Sequence, residues 1–446
     1  MTITLLPPAR AAALAALELC LPLKGKNGLD VQAALDQTLP RLCPDLRDRR
    51  LATELTYGYL RLKGRLDYLA GSLLAKPEKT PPFILRVLGL ASYEILYLSH
   101  VPAHASLSWA VEAVKAKFDQ TRANLANAVL RRVLDLGQAP LAEDYYCRDH
   151  CAQPVFLSRW YSCPLWLTEL WLKDYGPNLA LELLAAQVRP PLNGLRLNQA
   201  APGARDLFAR LTGLDGCRYA SWPALAFDPA SPEPNLEQLR ELEAKGLASR
   251  QSAAVSAMLG TLGLAAWPQP IWDCCCGRGG KTLALLEQGR EVWASDTNLR
   301  RLRGLGQDLE RLGLPNIPIF RADGANPPLS RGPGTILVDA PCTGLGVLSR
   351  RPDAKWKRSL ADIPVLVKAQ QRLLAGCATA LPPGGRLVYL TCTANQAENE
   401  AQAQWFAVEF PNWRKVAMVP LSGPNKLGEW FWGAVWAKPD PQDPGA

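Results

Sequence analysis

Two cysteines stand in settings suited to covalent chemistry. Cys342 closes "VDAPC", where an apolar strand ends on Asp339, and Cys392 closes "LVYLTC", a second apolar run of strand character. A thiolate is a strong nucleophile, and a cytosine ring is a substrate that needs one. Its carbon 5 does not take a methyl group unaided, whereas thiolate addition at carbon 6 turns carbon 5 into an enamine able to attack a sulfonium methyl. The adduct must then lose the carbon-5 proton and expel the sulfur, which calls for a base and a second group near the first thiol. Asp339, three residues before Cys342, is placed to hydrogen-bond the ring's amidine edge.

Such thiols need a sheet to hold them and a donor beside them. From about Glu241 the chain alternates short apolar strands ("PIWDCCC", "EVWASD", "IPIFRAD", "GTILVDAP", "GRLVYLTC") with helical patterns, which predicts a doubly wound, Rossmann-like α/β sheet. Ligands bind beyond the carboxyl ends of such strands. Four of these ends deliver an acid: Asp273, Asp296, Asp323 and Asp339. After Asp273 comes "CCCGRGGKT", whose Gly277, Gly279 and Gly280 permit a tight turn before a helix begins near Lys281. Asp296, 23 residues on, has the spacing of a carboxylate that accepts from ribose hydroxyls. Neither G-x-G-x-x-G nor G-x-x-x-x-G-K-[ST] is present, so an adenosine ligand without phosphates, S-adenosyl-L-methionine, is the expected cofactor.

The chain of 446 residues is long enough for more than one core. Residues 1–140 read as an all-α domain, 141–240 as a connecting subdomain of helix and strand, 241–437 as the catalytic domain and 438–446 as a disordered tail. The net charge of +9 favours a polyanionic partner, and residues 1–140 carry +6 of it. Adjacent thiols at Cys274, Cys275 and Cys276 point to reduced cysteines in a cytoplasmic protein. No apolar run is long enough to span a bilayer, so no membrane is expected. Cys147, His150, Cys151 and Cys163 lack the second half of a zinc pattern, and no metal is expected. No heptad pattern argues against a monomer.

"DAPCTGLGVLSRRPDAKWKR" and "YLTCTANQAENE" resemble the catalytic motifs of the NOL1/NOP2/Sun family of S-adenosylmethionine-dependent RNA 5-methylcytosine methyltransferases. "LATELTYGYLRLKGRLDYLA" and "VLGLASYEILYLSHVPAHASLSWAVEAVK" resemble the NusB-like RNA-binding domain of its Sun or Fmu branch, which acts on small-subunit ribosomal RNA. The resemblance implies that Cys392 is the nucleophile and that Cys342 assists product release. It also implies that Asp296 holds the ribose, Asp323 approaches the adenine, Asp339 lies between cofactor and base, and Lys281 sits near the catalytic centre. The cofactor loop runs over Cys275, Cys276, Gly277, Arg278, Gly279, Gly280 and Lys281. Where the family reads Asp-x-Cys-Ala-Ala-Pro-Gly-Gly-Lys-Thr, this chain reads "DCCCGRGGKT". That leaves two expectations for Arg278: pairing with the cofactor's carboxylate, or weaker packing of its adenosine. The basic run Arg350, Arg351, Lys355, Lys357 and Arg358 is expected to contact RNA phosphates, and Arg300, Arg301 and Arg303 form a second run. The motifs report chemistry and not address. Transfer RNA or another ribosomal position stays open as a target, as does a catalytically weak assembly factor.

Overall fold

The computed structural model describes residues 6–22, 28–421 and 427–441 and divides into two units: Met1–Arg189 with Leu348–Arg358, and Pro190–Val347 with Ser359–Ala446.

The first unit is helical. Its helices are α1 (Pro8–Cys20), α2 (Val31–Leu42), α3 (Leu46–Leu73), α4 (Pro82–Tyr97), α5 (Ala103–Lys117), α6 (Gln120–Asp135), α7 (Gln153–Trp160) and α8 (Leu165–Gln187). Proline opens α1 and α4, where its missing N–H costs nothing, and Asp30, Asp45 and Asp119 cap α2, α3 and α6. Leu14, Leu17, Leu55, Ile84, Leu88 and Leu130 meet in one core. Buried Glu94 is satisfied across three helices, accepting from Arg10 Nε (2.8 Å), Ser106 Oγ (2.6 Å) and Trp109 Nε1 (2.9 Å).

The division differs from the sequence expectation. No separate body spans 141–240, because Tyr145 and Tyr146 are buried with Leu69 and Val133, which draws the chain through Arg189 into the helical unit. Beyond Arg189 the chain changes to mixed structure: β1 (Asn193–Leu197), α9 (Ala204–Thr212), β2 (Cys217–Ser221), β3 (Ala224–Phe227), α10 (Leu236–Ala244) and β4 (Ala248–Arg250). The strands are antiparallel in the order β2-β3-β1-β4, a βαββαβ arrangement. Leu195, Leu197, Leu225 and Phe227 pack with Leu207, Leu211 and Leu239 of the two helices. Alternation sends Arg196, Ala224 and Ala226 to the other face, where Ala224 and Ala226 meet Ala253 and Ala254 of α11 (Ala253–Thr261).

The second sheet is built from β5 (Ile271–Asp273), α12 (Gly280–Leu286), β6 (Val292–Asp296), α13 (Leu299–Leu312), β7 (Ile319–Arg321) and β8 (Thr335–Asp339). The chain then enters the helical unit for Leu348–Arg358, which contains the short helix α14 (Ala354–Lys357). It returns as α15 (Asp362–Ala380), β9 (Arg386–Thr391), α16 (Glu400–Glu409), β10 (Arg414–Val419) and β11 (Trp432–Ala437). The order is β10-β11-β9-β8-β5-β6-β7, with β5 to β9 parallel and β11 antiparallel to both its neighbours. The expected Rossmann-like sheet is observed, and β11 and β10 extend it past β9. Of the expected tail, Lys438 is tied by its amide to Gly385 O (2.8 Å) and by Nζ to Leu381 O (2.6 Å), while 442–446 lie outside the described residues.

Arg196 ties the four-stranded sheet to the two ends of α12. It is buried, pairs in two-pronged fashion with buried Glu287 (Nε and NH2, each 2.9 Å), and donates to Gly280 O (2.8 Å). Breaking such a pair leaves an uncompensated buried charge. Arg196→Met should therefore cost about 3–5 kcal/mol in urea unfolding, and adding Glu287→Leu should restore most of it. A single variant as stable as the wild type would show that the pair carries no such role.

Candidate active site

The parallel register brings the strand ends to one edge, with Asp273 opposite Leu337 and Asp339 opposite Leu390. The loop after β5 is shaped by glycine. Gly277 and Gly279 have φ of 59° and 84°, and a Cβ on Gly279 would lie 2.2 Å from Leu305 Cδ1. Asp296 fixes this loop by accepting from Gly277 N (3.0 Å) and Asn298 N (2.8 Å), one on each oxygen. A carboxylate has about four acceptor positions, so Asp296 retains capacity for hydroxyl donors. Asp273 is buried, accepts from Thr282 Oγ1 (2.6 Å) through one oxygen, and has its other oxygen, Oδ1, without a partner among the described residues. Burial, with Asp339 adding to it, pushes its carboxyl up to about 7. This acceptor-rich edge fits S-adenosyl-L-methionine, which carries ribose hydroxyls and an ammonium group.

The loop side chains take different directions. Cys276 joins the apolar core with Leu283 and Leu305, while its amide bonds Ser295 O (2.9 Å). Cys275 Sγ lies 3.9 Å from Cys274 Sγ, which is itself 3.8 Å from Cys377 Sγ. Arg278 directs its guanidinium over Gly304 towards Asp308 Oδ2 (3.4 Å) on α13. Exposed Asp323 caps its own turn through Ala325 N (3.0 Å) and faces Arg372 NH2 at 3.6 Å. Of the second basic run, Arg301 stands 3.9 Å from Asp296.

At the centre Cys342 Sγ and Cys392 Sγ are 3.4 Å apart, despite a separation of 50 residues. Ala340 N bonds Leu390 O (2.9 Å), and Gly346 N bonds Cys392 O (3.0 Å). Gly346 permits this closure, because a Cβ there would lie 2.2 Å from Trp430 O. The hydrogen bond to Cys392, then burial, then the negative charge of Cys392 and Glu398 hold the Cys342 thiol well above its usual range. Lys281 Nζ contacts Asp339 Oδ2 at 2.6 Å. Burial alone would lower this ammonium, but Asp339, Cys392 and Asp273 outweigh it and raise it. The site thus offers a proton-holding thiol beside a second thiol, with a lysine and carboxylate next to them.

Sequence reasoning missed the layer beneath. Buried Glu398 accepts from Thr343 N (3.0 Å), Gln370 Nε2 (2.8 Å), Asn395 Nδ2 (2.5 Å) and the Thr343 hydroxyl. The available signal was "ENE", a polar triplet in the loop that follows the buried strand β9 and Cys392.

The basic run needs a correction. Lys355 is fully buried within the helical unit, donating to Arg61 O (2.9 Å) and Gln187 Oε1 (2.5 Å). Trp356 Nε1 bonds Leu60 O (2.7 Å), and Lys357 reaches Leu29 O and Asp353 Oδ2. Lys355 is therefore a core anchor and not a phosphate contact, and Lys357 is committed to the same anchor. Arg351 is exposed, with Arg350 and Arg358 partly so.

Comparison with known proteins gives a consistent picture. Residues 265–436 match the family described as 16S rRNA methyltransferase RsmB/F, and residues 7–135 match the NusB family. The chain is 32% identical to a probable ribosomal RNA small subunit methyltransferase B of Synechocystis sp., over 85% of each chain. It is 32% identical to ribosomal RNA small subunit methyltransferase B of Escherichia coli, over 83% of this chain and 86% of the relative. The crystal structure of PH0851 shares the fold with a TM-score of 0.73 at 19% identity, covering 97% of this chain and 99% of that one.

Lys355 makes a pH prediction. Burial, reinforced by Arg61, Arg65 and Lys63, pushes its ammonium down to about 7 from an ordinary 10.5. Between those values the unfolded chain binds more protons than the folded one, so stability rises with pH. Relative to Lys355→Met, the wild type should gain up to about 1.4 kcal/mol per pH unit on going from pH 7.5 to 9.5. Parallel stability profiles for the two proteins would refute the assignment.

Proposed function

Because the chain belongs to the RsmB/F family of 16S rRNA methyltransferases, we propose that it methylates carbon 5 of a cytosine in small-subunit ribosomal RNA through a covalent cysteine adduct. The observation that carries this reading is the 3.4 Å approach of Cys342 and Cys392 beside the Lys281–Asp339 pair. S-adenosyl-L-methionine, when bound, supplies an electrophilic methyl group. Asp296 holds the ribose, and the backbone of residues 275–281 lines the cofactor, with Asp323 on the adenine side.

Cys392 is the nucleophile. Its thiolate bonds to carbon 6 of the base, and the electron pair freed at carbon 5 takes the methyl group. Loss of the carbon-5 hydrogen as a proton then restores the ring double bond and expels the Cys392 sulfur, so that methyl replaces hydrogen and the enzyme is regenerated. The hydrogen bond to Cys392 and the burial that hold the Cys342 thiol high support this division, with Cys392 attacking and Cys342 assisting release. Asp339 accepts from the amidine edge of the ring, and Lys281 orients that carboxylate. The positive excess of residues 1–140 supports RNA binding by the helical unit, with Arg351 as the exposed member of the basic run nearest the site in sequence. Ribosomal RNA as substrate implies action in the cytoplasm.

The test is methyl transfer from labelled S-adenosyl-L-methionine to unmodified small-subunit ribosomal RNA, mapped by mass spectrometry. One cytosine should acquire the methyl group. Cys392→Ala should reduce the rate by more than about a thousand-fold, as expected on losing a group that acts within a concerted catalytic unit. Cys342→Ala should accumulate a protein–RNA adduct that survives denaturing electrophoresis. Transfer that persists in Cys392→Ala would exclude the covalent route, and transfer to another RNA alone would move the address.

A further inference from the structure

Glu398 is fully buried, and among the described residues every hydrogen bond to its carboxylate comes from a neutral group. Oε2 accepts from Thr343 N (3.0 Å) and Gln370 Nε2 (2.8 Å); Oε1 accepts from Asn395 Nδ2 (2.5 Å) and the Thr343 hydroxyl. The Gln370 amide is fixed in this orientation, because the same Nε2 also donates to Pro341 O at 2.9 Å. Thr343 and Pro341 flank Cys342, whereas Asn395 and Glu398 itself come after Cys392. Glu398 N in turn donates to Asn395 Oδ1 (2.9 Å), and Tyr389 OH donates to Glu398 O (2.8 Å). One carboxylate therefore gathers the chain on both sides of Cys342 and ties it to the loop carrying Cys392.

We propose that Glu398 is the positioning residue of the thiol pair: it locks the Cys342 loop to the Cys392 loop and biases the shared proton towards Cys342. The assignment rests on the methyl-transfer reading for its purpose but not for its geometry. The groups facing the pair are Cys342 on the β8 side, Tyr389 and Cys392 on the β9 side, Glu398 from the loop beyond, and the Lys281–Asp339 pair from α12 and β8. The hydrogen bond to Cys392 and burial raise the cost of ionising Cys342 most, the charges of Cys392 and Glu398 add to it, and Lys281 is the cation that interacts with Cys392. Two chemically identical side chains thereby acquire different duties, one as attacking thiolate and the other as thiol.

The test needs no RNA. Full-length protein is alkylated with iodoacetamide across pH 6 to 10, and modification of Cys342 and Cys392 is read separately by peptide mass spectrometry. Cofactor binding by calorimetry reports that each variant is folded. In the wild type Cys392 should react at lower pH than Cys342. Glu398→Gln should bring the Cys342 midpoint down by roughly one pH unit or more, the scale on which a close charge moves a thiol, and Glu398→Asp should restore part of the separation. Gln370→Leu, which loosens the same tie while keeping the charge, should disturb the order less. Unchanged alkylation profiles in a folded Glu398→Gln would overturn the proposal. So would failure of all three variants to bind cofactor, since Glu398 would then serve folding alone. An intact thiol order without methyl transfer to any RNA would instead count against the proposed function and leave the positioning role standing.

Discussion

The parallel pairing of β8 with β9 is the constraint on which the site depends. Its register sets Asp339 opposite Leu390, so each strand releases its chain at the same height and the next turn of each delivers a thiol. In a strand a one-residue slip turns every side chain to the other face. Here it would carry Asp339 away from Lys281 and part the sulfurs. The register is held by apolar neighbours: Ile336, Leu337 and Val338 are buried against Leu387, Val388 and Leu390. Polar chemistry at the edge therefore relies on a dry sheet behind it, and Glu398 closes the remaining freedom of the two loops.

A comparable division of labour appears at the cofactor end. The βαββαβ sheet presents one face to its helices and the other to α11, so that its alternating positions are fully used inside the protein. Arg196 occupies the only charged position of β1, and its fork reaches Glu287 and the carbonyl of Gly280 where α12 begins. The glycine loop is flexible by composition, yet its two ends are held: at Gly277 N by Asp296 and at Gly280 O by Arg196. This supplies from outside the loop the stiffness that a proline would have supplied within it. Arg278, standing where the family has proline, adds a brace to α13.

The parallel strands and their terminal acids are legible in the sequence because each is a short apolar run that ends abruptly in Asp or Thr-Cys, a local signal. The thiol pair is legible for a chemical reason, since two cysteines at strand ends beside an acid suit one class of reaction. The βαββαβ unit is not, because β3 has four residues and β4 three, too few for alternation to register. Lys355 is the clearest failure. In a run of arginines and lysines it reads as solvated, and what buries it, Arg61 O and Gln187, lies 294 and 168 residues away. Glu398 fails for the same reason: its meaning comes from Thr343 and Gln370, which no local pattern connects to it.

The excursion of Leu348–Arg358 into the helical unit also sets an order of events during synthesis. A chain leaves the ribosome N-terminus first, at about 5–20 residues per second, and domains fold as they emerge. The helical unit is continuous to Arg189, but the lysine that fills its interior is translated roughly 170 residues later. For an interval of about ten to thirty seconds the helices stand with Arg61 O and the Gln187 amide awaiting their amine. By the time Lys355 arrives, β5 to β8 and the Cys342 turn have already been made. The oldest part of the nascent chain is thus completed by one of its later segments.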